Sequence, residues 1–445
     1  VSFGSPYLIE RFPQAKTWVA LFSTQDVAQR AAARALFGQV AIGGRIPVSV
    51  PGTVKLGDGL AVPADPMTLR PAPTEMAEKL KPAFDRIERG VADRAFPGGV
   101  LAVGYKGELA VRAFGKQTYD SNAPAVTPDT MYDLASLTQP VVTATSIASL
   151  LAMGRVQLDA PIVRFLPEFA AGPQPEWRAK ITVRHLLTHS SGLPADLKDF
   201  REIQSKRDVL VRIRDEPLLF PPGEKSAYSN IGFALLGEIV ERITGRALSD
   251  WAQRRMFVPL NMKDSMFNPP ASLRPRIAPT ELDNTLRMRL LHGEVHSPTA
   301  WLMGGVSGHS GVFSTAPDLA AFCQMMLNGG IYAHQRLLRR SLLEQFTAYQ
   351  EMGGRLAWLG PTSATPGATY LSKHSYGHDG ATGTYLWIDP EKDLFVILLT
   401  NAAHPAGDLA KYRQVRSEVF DAIFRALGFI PVSNSNAALR YNSRD

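Results

Sequence analysis

Ser136 occupies a position where a hydroxyl could act as a nucleophile. It lies in the run Tyr132-Asp133-Leu134-Ala135-Ser136-Leu137-Thr138-Gln139-Pro140, and the residues that follow, Val141 to Met153, are nearly all apolar or small before Gly154. A segment apolar all round reads as a buried helix. At its start, free backbone N–H groups and the helix dipole favour developing negative charge. A serine there could attack a carbonyl and leave the resulting oxyanion stabilised. The competing reading is a plain helix N-cap, and on these residues alone the cap is preferred.

Other residues invite chemistry less strongly. Tyr228-Ser229-Asn230 precedes a helical run from Ile231 to Thr244, and by itself reads as a helix-start turn capped by Asn230. His185 and His189 have the i, i+4 spacing of zinc-binding helices, but no Glu stands between them in a His-Glu-x-x-His pattern. His309 lies in a Gly-rich loop, Gly304 to Gly311, expected to line a cleft; no Gly-Lys-Ser/Thr follows, so it is not a phosphate loop. Neither a metal nor another cofactor is called for. Cys323, the single cysteine, excludes an internal disulfide and sits in an apolar helical stretch, where a thiol is usually a small buried hydrophobe.

These residues need elements to hold them. Gly99 to Tyr105 and Leu109 to Phe114 are β-rich runs flanking Lys106-Gly107, a hairpin signal. Thr384 to Ile388 and Leu394 to Thr400 form a second hairpin around Asp389 to Asp393. Between the hairpins the pattern is mostly helical. After them Val415, Val419, Ala422, Ile423, Ala426 and Leu427 recur at helical spacing, with Gly428 as a stop. Strands, helices, strands and a final helix predict an α+β fold: an antiparallel sheet flanked by helices, plus a helical subdomain.

The 445 residues include 48 basic and 41 acidic side chains, a net charge of +7 that is spread along the chain. Without a basic stripe interleaved with aromatics, nucleic acid is not an expected partner. No uninterrupted apolar run reaches the roughly 18 residues of a membrane span. Residues 1–52 alternate strand-like and helical runs (Thr17 to Phe22, Gln25 to Leu36, Arg45 to Val50), a short α/β segment with little core of its own. Residues 53–75, with Pro63, Pro66, Pro71 and Pro73, read as a linker; 76–430 form the main domain, and 431–445 a polar tail.

Several ordered blocks resemble the β-lactamase and penicillin-binding-protein family of serine hydrolases, with wording similar to class C-like esterases and peptidases. They are Leu134-Ala135-Ser136-Leu137-Thr138, Gly154 to Pro161, Phe165 to Phe169, Ile181 to Leu193, Pro221-Pro222-Gly223, Tyr228-Ser229-Asn230 and Gly377 to Ala381, spanning about residues 75 to 430. The resemblance implies that Ser136 is the nucleophile and that Tyr228 takes its proton, helped by nearby cations that depress its pKa. Asn230 would bind the substrate amide. His378 would face the site, Gly380 would admit the substrate backbone, and the Ala381 N–H would complete an oxyanion hole with that of Ser136. Two positions depart from the family. Gln139 stands where the pattern has Lys, and cannot carry charge or titrate. Asp379 replaces a hydroxyl residue and would repel an anionic substrate unless it pairs with His378.

The opening, FGSPYLIERFP and then AARALFGQVAIGGRIPVSVPG, resembles the end of the C-terminal α/β domain of family-three glycoside hydrolases. It implies an upstream glycosidase domain, of β-N-acetylhexosaminidase type, whose catalytic barrel lies outside these residues; glycosidase activity is not carried over. The first residues lack a signal-peptide pattern and read like the middle of a longer chain, while family habit favours the periplasm or export. Two functions stand against each other. One is a serine acyl hydrolase forming an acyl-enzyme on Ser136, impaired by Gln139, with a small-molecule acyl substrate or a peptidoglycan-like peptide. The other is an inactive module that binds cell-wall fragments. A glycosidase would need a paired-carboxylate site, which the matched blocks do not supply.

Overall fold

The computed structural model describes residues 1–65, 67–200, 202–350, 354–406 and 409–431; the expected polar tail lies outside these apart from Pro431. The chain divides into two compact units, Val1–Thr68 and a larger one from Leu69 on. In the first, helix α1 (Asp26–Leu36) is accompanied by isolated bridges rather than strands: Ser2 with Ala20, Ile42 with Val62, and Val50 with Val54. Among the described residues of this unit, Ser2, Pro6, Ala32 and Val50 are buried. Residues expected as linker do more than connect. Val62 returns to Ile42, and Arg70–Pro71 adds to the edge of the main sheet beside Glu108–Leu109.

The larger unit is built on a sheet that is antiparallel except at its edge, where Arg70–Pro71 runs parallel to its neighbour. After α2 (Lys81–Ala92) come β1 (Gly98–Tyr105) and β2 (Glu108–Gly115), the first expected hairpin. The second consists of β4 (Thr384–Asp389) and β5 (Leu394–Thr400), preceded by β3 (Tyr376–Gly380). The order is Arg70–Pro71, β2, β1, β5, β4, β3, so β1 and β5 pair at the centre although about 290 residues separate them. Both faces of this sheet are covered. Along β1 and β5, Val100, Ala102, Phe395, Ile397 and Leu399 join one core, whereas Leu101, Val103, Leu394, Val396 and Leu398 join the other. Two buried faces explain why Leu394–Leu399 is apolar without alternation.

On one face pack α2 and the terminal helix α6 (Leu409–Ala426), which supplies Val415, Val419, Phe420 and Ile423. They approach closely because Gly90 has no side chain; a Cβ there would lie 2.8 Å from a methyl of Val415. The other face carries α5 (Ala316–Leu327), with Cys323 fully buried, and the helical subdomain. That subdomain includes α3 (Thr145–Ala152) and α4 (Asn230–Thr244). The helical stretch Ala135–Ala152 is apolar and long enough to cross a membrane, but 78% of it is buried, as befits a core helix. The fold class is therefore the α+β arrangement expected.

Candidate active site

The segment carrying Ser136 is clamped from two sides. Tyr132–Asp133 pairs with Val312–Ser314, and the Leu134 N–H continues the pairing to the Val312 carbonyl at 2.9 Å. Thr382, in the turn before β4, and Thr384, at the start of β4, donate their hydroxyls to the carbonyls of Asp133 (2.7 Å) and Leu134 (3.0 Å). The chain then turns sharply at Ala135, whose φ of 47° is unusual for a residue with a side chain. Asp133 holds this turn: one carboxylate oxygen accepts from the Ala135 N–H at 2.9 Å, the other from the His296 N–H at 2.5 Å. Strained backbone kept in place by surrounding bonds is characteristic of functional sites. Ser136 follows, half-buried, in the 3-10 turn Ala135–Leu137, and caps no helix. A π-helical turn, Gln139–Ala144, leads into α3.

Gln139 is fully buried. Its side-chain N–H₂ donates to the Tyr228 hydroxyl at 2.5 Å and to Asn230 Oδ1 at 3.0 Å, while its Oε1 has no partner. Ser136 lies close enough to the Tyr228 hydroxyl to favour its ionised form, so it borders the hydrogen-bonded cluster of Gln139, Tyr228 and Asn230. Asn230 is free to join because Ser229, not Asn230, caps α4, accepting from the Gly232 N–H at 3.1 Å. Its amide donates in turn to Asp196 at 3.1 Å, and Asp196 is held by Thr299 at 2.6 Å. Sequence reasoning missed Asp196, Asp133, Thr382 and Thr384, which lie outside the motifs and reach the cluster only through the fold.

Tyr228 departs from expectation. The residue is 39% exposed as a whole, but its hydroxyl is enclosed by the cluster. Burial there pushes its pKa up to about 12, against nearby Ser136 and the bond from Gln139, and the carboxylates of Asp379 and Asp196 push the same way as burial. The expected cationic depression is absent because Gln139 is neutral and Lys225 pairs with Glu224 at the surface. His189 packs 4.5 Å from the Tyr228 ring, accepts from the Ser229 N–H, and is held neutral by burial, its pKa pulled down to about 3.

Strand periodicity sorts β3. His378 and Gly380 lie on the face toward Ser136, while Asp379 points to the opposite layer. His378 is buried, its ring 6.2 Å from that of Tyr228. Nδ1 is 2.7 Å from the Asp379 carbonyl and so carries the proton, leaving Nε2 a bare acceptor without a partner. Burial lowers its pKa. Asp379 pairs with Arg416 of α6 at 3.8 Å instead of with the imidazole of His378. Gly380 abuts the nucleophile turn so closely that a Cβ would lie 2.5 Å from the Leu134 carbonyl oxygen and 2.2 Å from Thr384 Oγ1. Ala381 follows, exposed.

His185, His296 and His309 have structural partners. His185 closes a capping box with Thr182. His296 pairs with Glu281 at 3.2 Å. His309 does not line a cleft: it is buried between Ser297 and Ser307, each 2.8 Å away.

The family model described as "Beta-lactamase" matches residues 84–419. The chain belongs to the beta-lactamase family. Curated members of similar sequence are a "Putative D-alanyl-D-alanine carboxypeptidase" of Escherichia coli strain K12, 35% identical over 64% of this chain and 72% of that protein. Its namesake in E. coli O157:H7 is 33% identical over 74% and 84%. Among solved structures, a penicillin-binding-protein homologue from Caulobacter crescentus superposes with a TM-score of 0.63 at 22% identity, covering 80% of this chain and 99% of that one. A class C beta-lactamase from Rhodobacter sphaeroides gives 0.62 at 21%, covering 78% and 99%. The beta-lactamase family fold is thus common to enzymes and to this chain, with serine hydrolases of the β-lactamase and penicillin-binding-protein type as its relatives.

Proposed function

We propose that this chain is a serine acyl hydrolase that forms an acyl-enzyme on Ser136 and turns over slowly because Gln139 is neutral. The observation that carries the reading is the hydrogen-bonded cluster in which the Tyr228 oxygen accepts from Gln139 while Ser136 lies beside it. A tyrosine with a pKa near 12 is protonated at neutral pH, so it serves as a relay rather than a base. Ser136 Oγ attacks the acyl carbon and its proton passes to the Tyr228 oxygen. The Tyr228 proton passes to the leaving nitrogen or oxygen as the bond from the acyl carbon to that atom breaks. Water reverses the sequence to release the acid. The N–H groups of Ser136 and Ala381 stabilise the oxyanion, each such donor being worth about 3 kcal/mol in related sites. Asn230 binds the substrate amide, and neutral His378 lends Nε2 as an acceptor beside Tyr228.

The relatives named as carboxypeptidases favour a peptide ending in D-alanine as substrate, and with it a periplasmic or exported setting. A second reading, a module that binds cell-wall peptide without cleaving it, is favoured by the raised Tyr228 pKa and the unpaired Gln139 Oε1. Intact-mass analysis after incubation with a p-nitrophenyl ester, a penicillin or a D-alanyl-D-alanine peptide separates the two. A mass increment lost in Ser136→Ala supports the hydrolase. Peptide binding that is the same in parent and Ser136→Ala, with no adduct from any of the three, supports the binding module.

A further inference from the structure

The helix that follows the nucleophile carries a second polar feature, distant from the Ser136 cluster in its partners. Ser146, on α3, is 2% exposed and its hydroxyl has no hydrogen-bond partner. Trp251, on the short helix Leu248–Ala252, is 8% exposed and its indole N–H is likewise unpaired. Both line a single cavity of about 220 Å³, together with Ser149, Arg254, Arg255 and Arg336. Native interiors rarely leave buried polar groups without a partner, so two in one cavity ask for an explanation.

The chemistry of the lining gives one. An indole N–H and a guanidinium can only donate, and a serine hydroxyl can donate. Three arginines line the cavity and no carboxylate does. Arg254 is taken up by Asp250, at 2.6 Å. Arg255 lies 5.5 Å over the Trp251 ring, and Arg336 reaches only the Leu338 carbonyl, at 3.4 Å. Among the described residues neither Arg255 nor Arg336 has a carboxylate partner. Two cations without a carboxylate partner, lining the same cavity as two unpaired buried donors, form a receptor for a compact dianion rather than for a neutral ligand. The three contributing segments, α3, the turn around Arg255 and the Gln335–Arg336 strand, are distant in sequence, so the site exists only in the folded unit.

We propose that this cavity binds a phosphate dianion, either free or as the phosphoryl group of a phosphomonoester. Calorimetric titration of the whole chain at pH 7.5 with inorganic phosphate, glucose 6-phosphate and acetate tests it. One phosphate or sugar phosphate is expected to bind per chain, at least ten-fold more tightly than acetate. The tighter of the two identifies the source, monoester or free phosphate. Ser136→Ala should bind as the parent does, which separates this site from the nucleophile. Trp251→Phe keeps the ring and removes the donor, and should weaken binding about ten-fold. Arg336→Gln, at an exposed position, should do the same and decides the matter if the tryptophan variant fails to fold. Absence of binding by both phosphates, acetate binding as tightly, or an affinity unchanged in Arg336→Gln would overturn the proposal.

Discussion

Replacing Gln139 by Lys tests the proton relay at its weakest point. The Gln139 amide nitrogen lies 2.5 Å from the Tyr228 hydroxyl and 3.0 Å from Asn230 Oδ1, so a lysine ammonium in the same space would keep both bonds and add a charge. At an effective dielectric of about 20, a cation about 4 Å from a phenolate is worth about 4 kcal/mol. At about 1.4 kcal/mol per pH unit this is about three units, bringing the Tyr228 hydroxyl from about 12 to about 9. The ionised fraction at pH 8 would rise from about one in 10⁴ to about one in ten. A weaker base transfers protons less eagerly, and burying the ammonium opposes its charge, so acylation should accelerate by about 10²- to 10³-fold, within the range of general-base assistance. The burst of p-nitrophenol from an activated ester, followed by stopped flow and confirmed by intact mass, measures it. The parent rate should stay nearly flat up to pH 10, as a relay through a protonated tyrosine requires, while the variant should climb with pH and level near pH 9. A folded Gln139→Lys protein that acylates no faster, with an unmoved pH profile, would refute the reasoning and remove Tyr228 from the proton path.

Further outcomes are expected from the same geometry. Ser136→Ala should abolish the adduct while leaving the urea midpoint nearly unchanged, since the residue is half-buried and caps nothing. Gly380→Ala should slow acylation at least 10²-fold, because the new methyl meets the Leu134 carbonyl and displaces the nucleophile turn; overpacking should also cost about 1–3 kcal/mol in chemical denaturation. Asp283→Asn should destabilise by about 3–5 kcal/mol, since it leaves Arg287 buried without its carboxylate, 2.7 Å away, and weakens the acceptor of the Thr285, Leu286 and Arg287 N–H groups. Stability should also fall in acid. His189 and His309 have pKa values pulled down by burial to about 3 and about 4, so below pH 6.5 the unfolded chain takes protons that the folded chain refuses. Asp318, pushed up to about 6 by burial, acts oppositely: its contribution is full below its unfolded pKa and lost as pH rises through 6. Between pH 6 and 4 these three groups together contribute about one proton's slope, about 1.4 kcal/mol per unit, and His309→Gln should lower the measured slope by about that much in urea titrations.

The contrast between what the sequence displays and what the fold adds follows from where each residue takes its partners. The hairpins at Lys106-Gly107 and Asp389–Asp393 are visible because their strands pair locally around turn residues. The pairing of β1 with β5 has no local signal; it becomes readable only once Leu394–Leu399 is recognised as buried on both faces. The motif residues Ser136, Gln139, Tyr228 and Asn230 were legible as a set, and the structure brings them together. Their electrostatics were not. A depressed Tyr228 pKa requires a cation, and the position that would hold it carries Gln139, whose size suits the space but whose neutrality leaves burial to dominate. Asp379 shows the same division. Its type suggested repulsion of an anionic substrate, yet strand alternation turns it toward Arg416 in the opposite layer. The motif departure with the larger consequence for chemistry is therefore Gln139, while Asp379 adds only its share to the rise of the Tyr228 pKa. It preserves every hydrogen bond expected of a lysine's nitrogen to Tyr228 and Asn230 while withholding the charge, which separates the shape of this site from its reactivity.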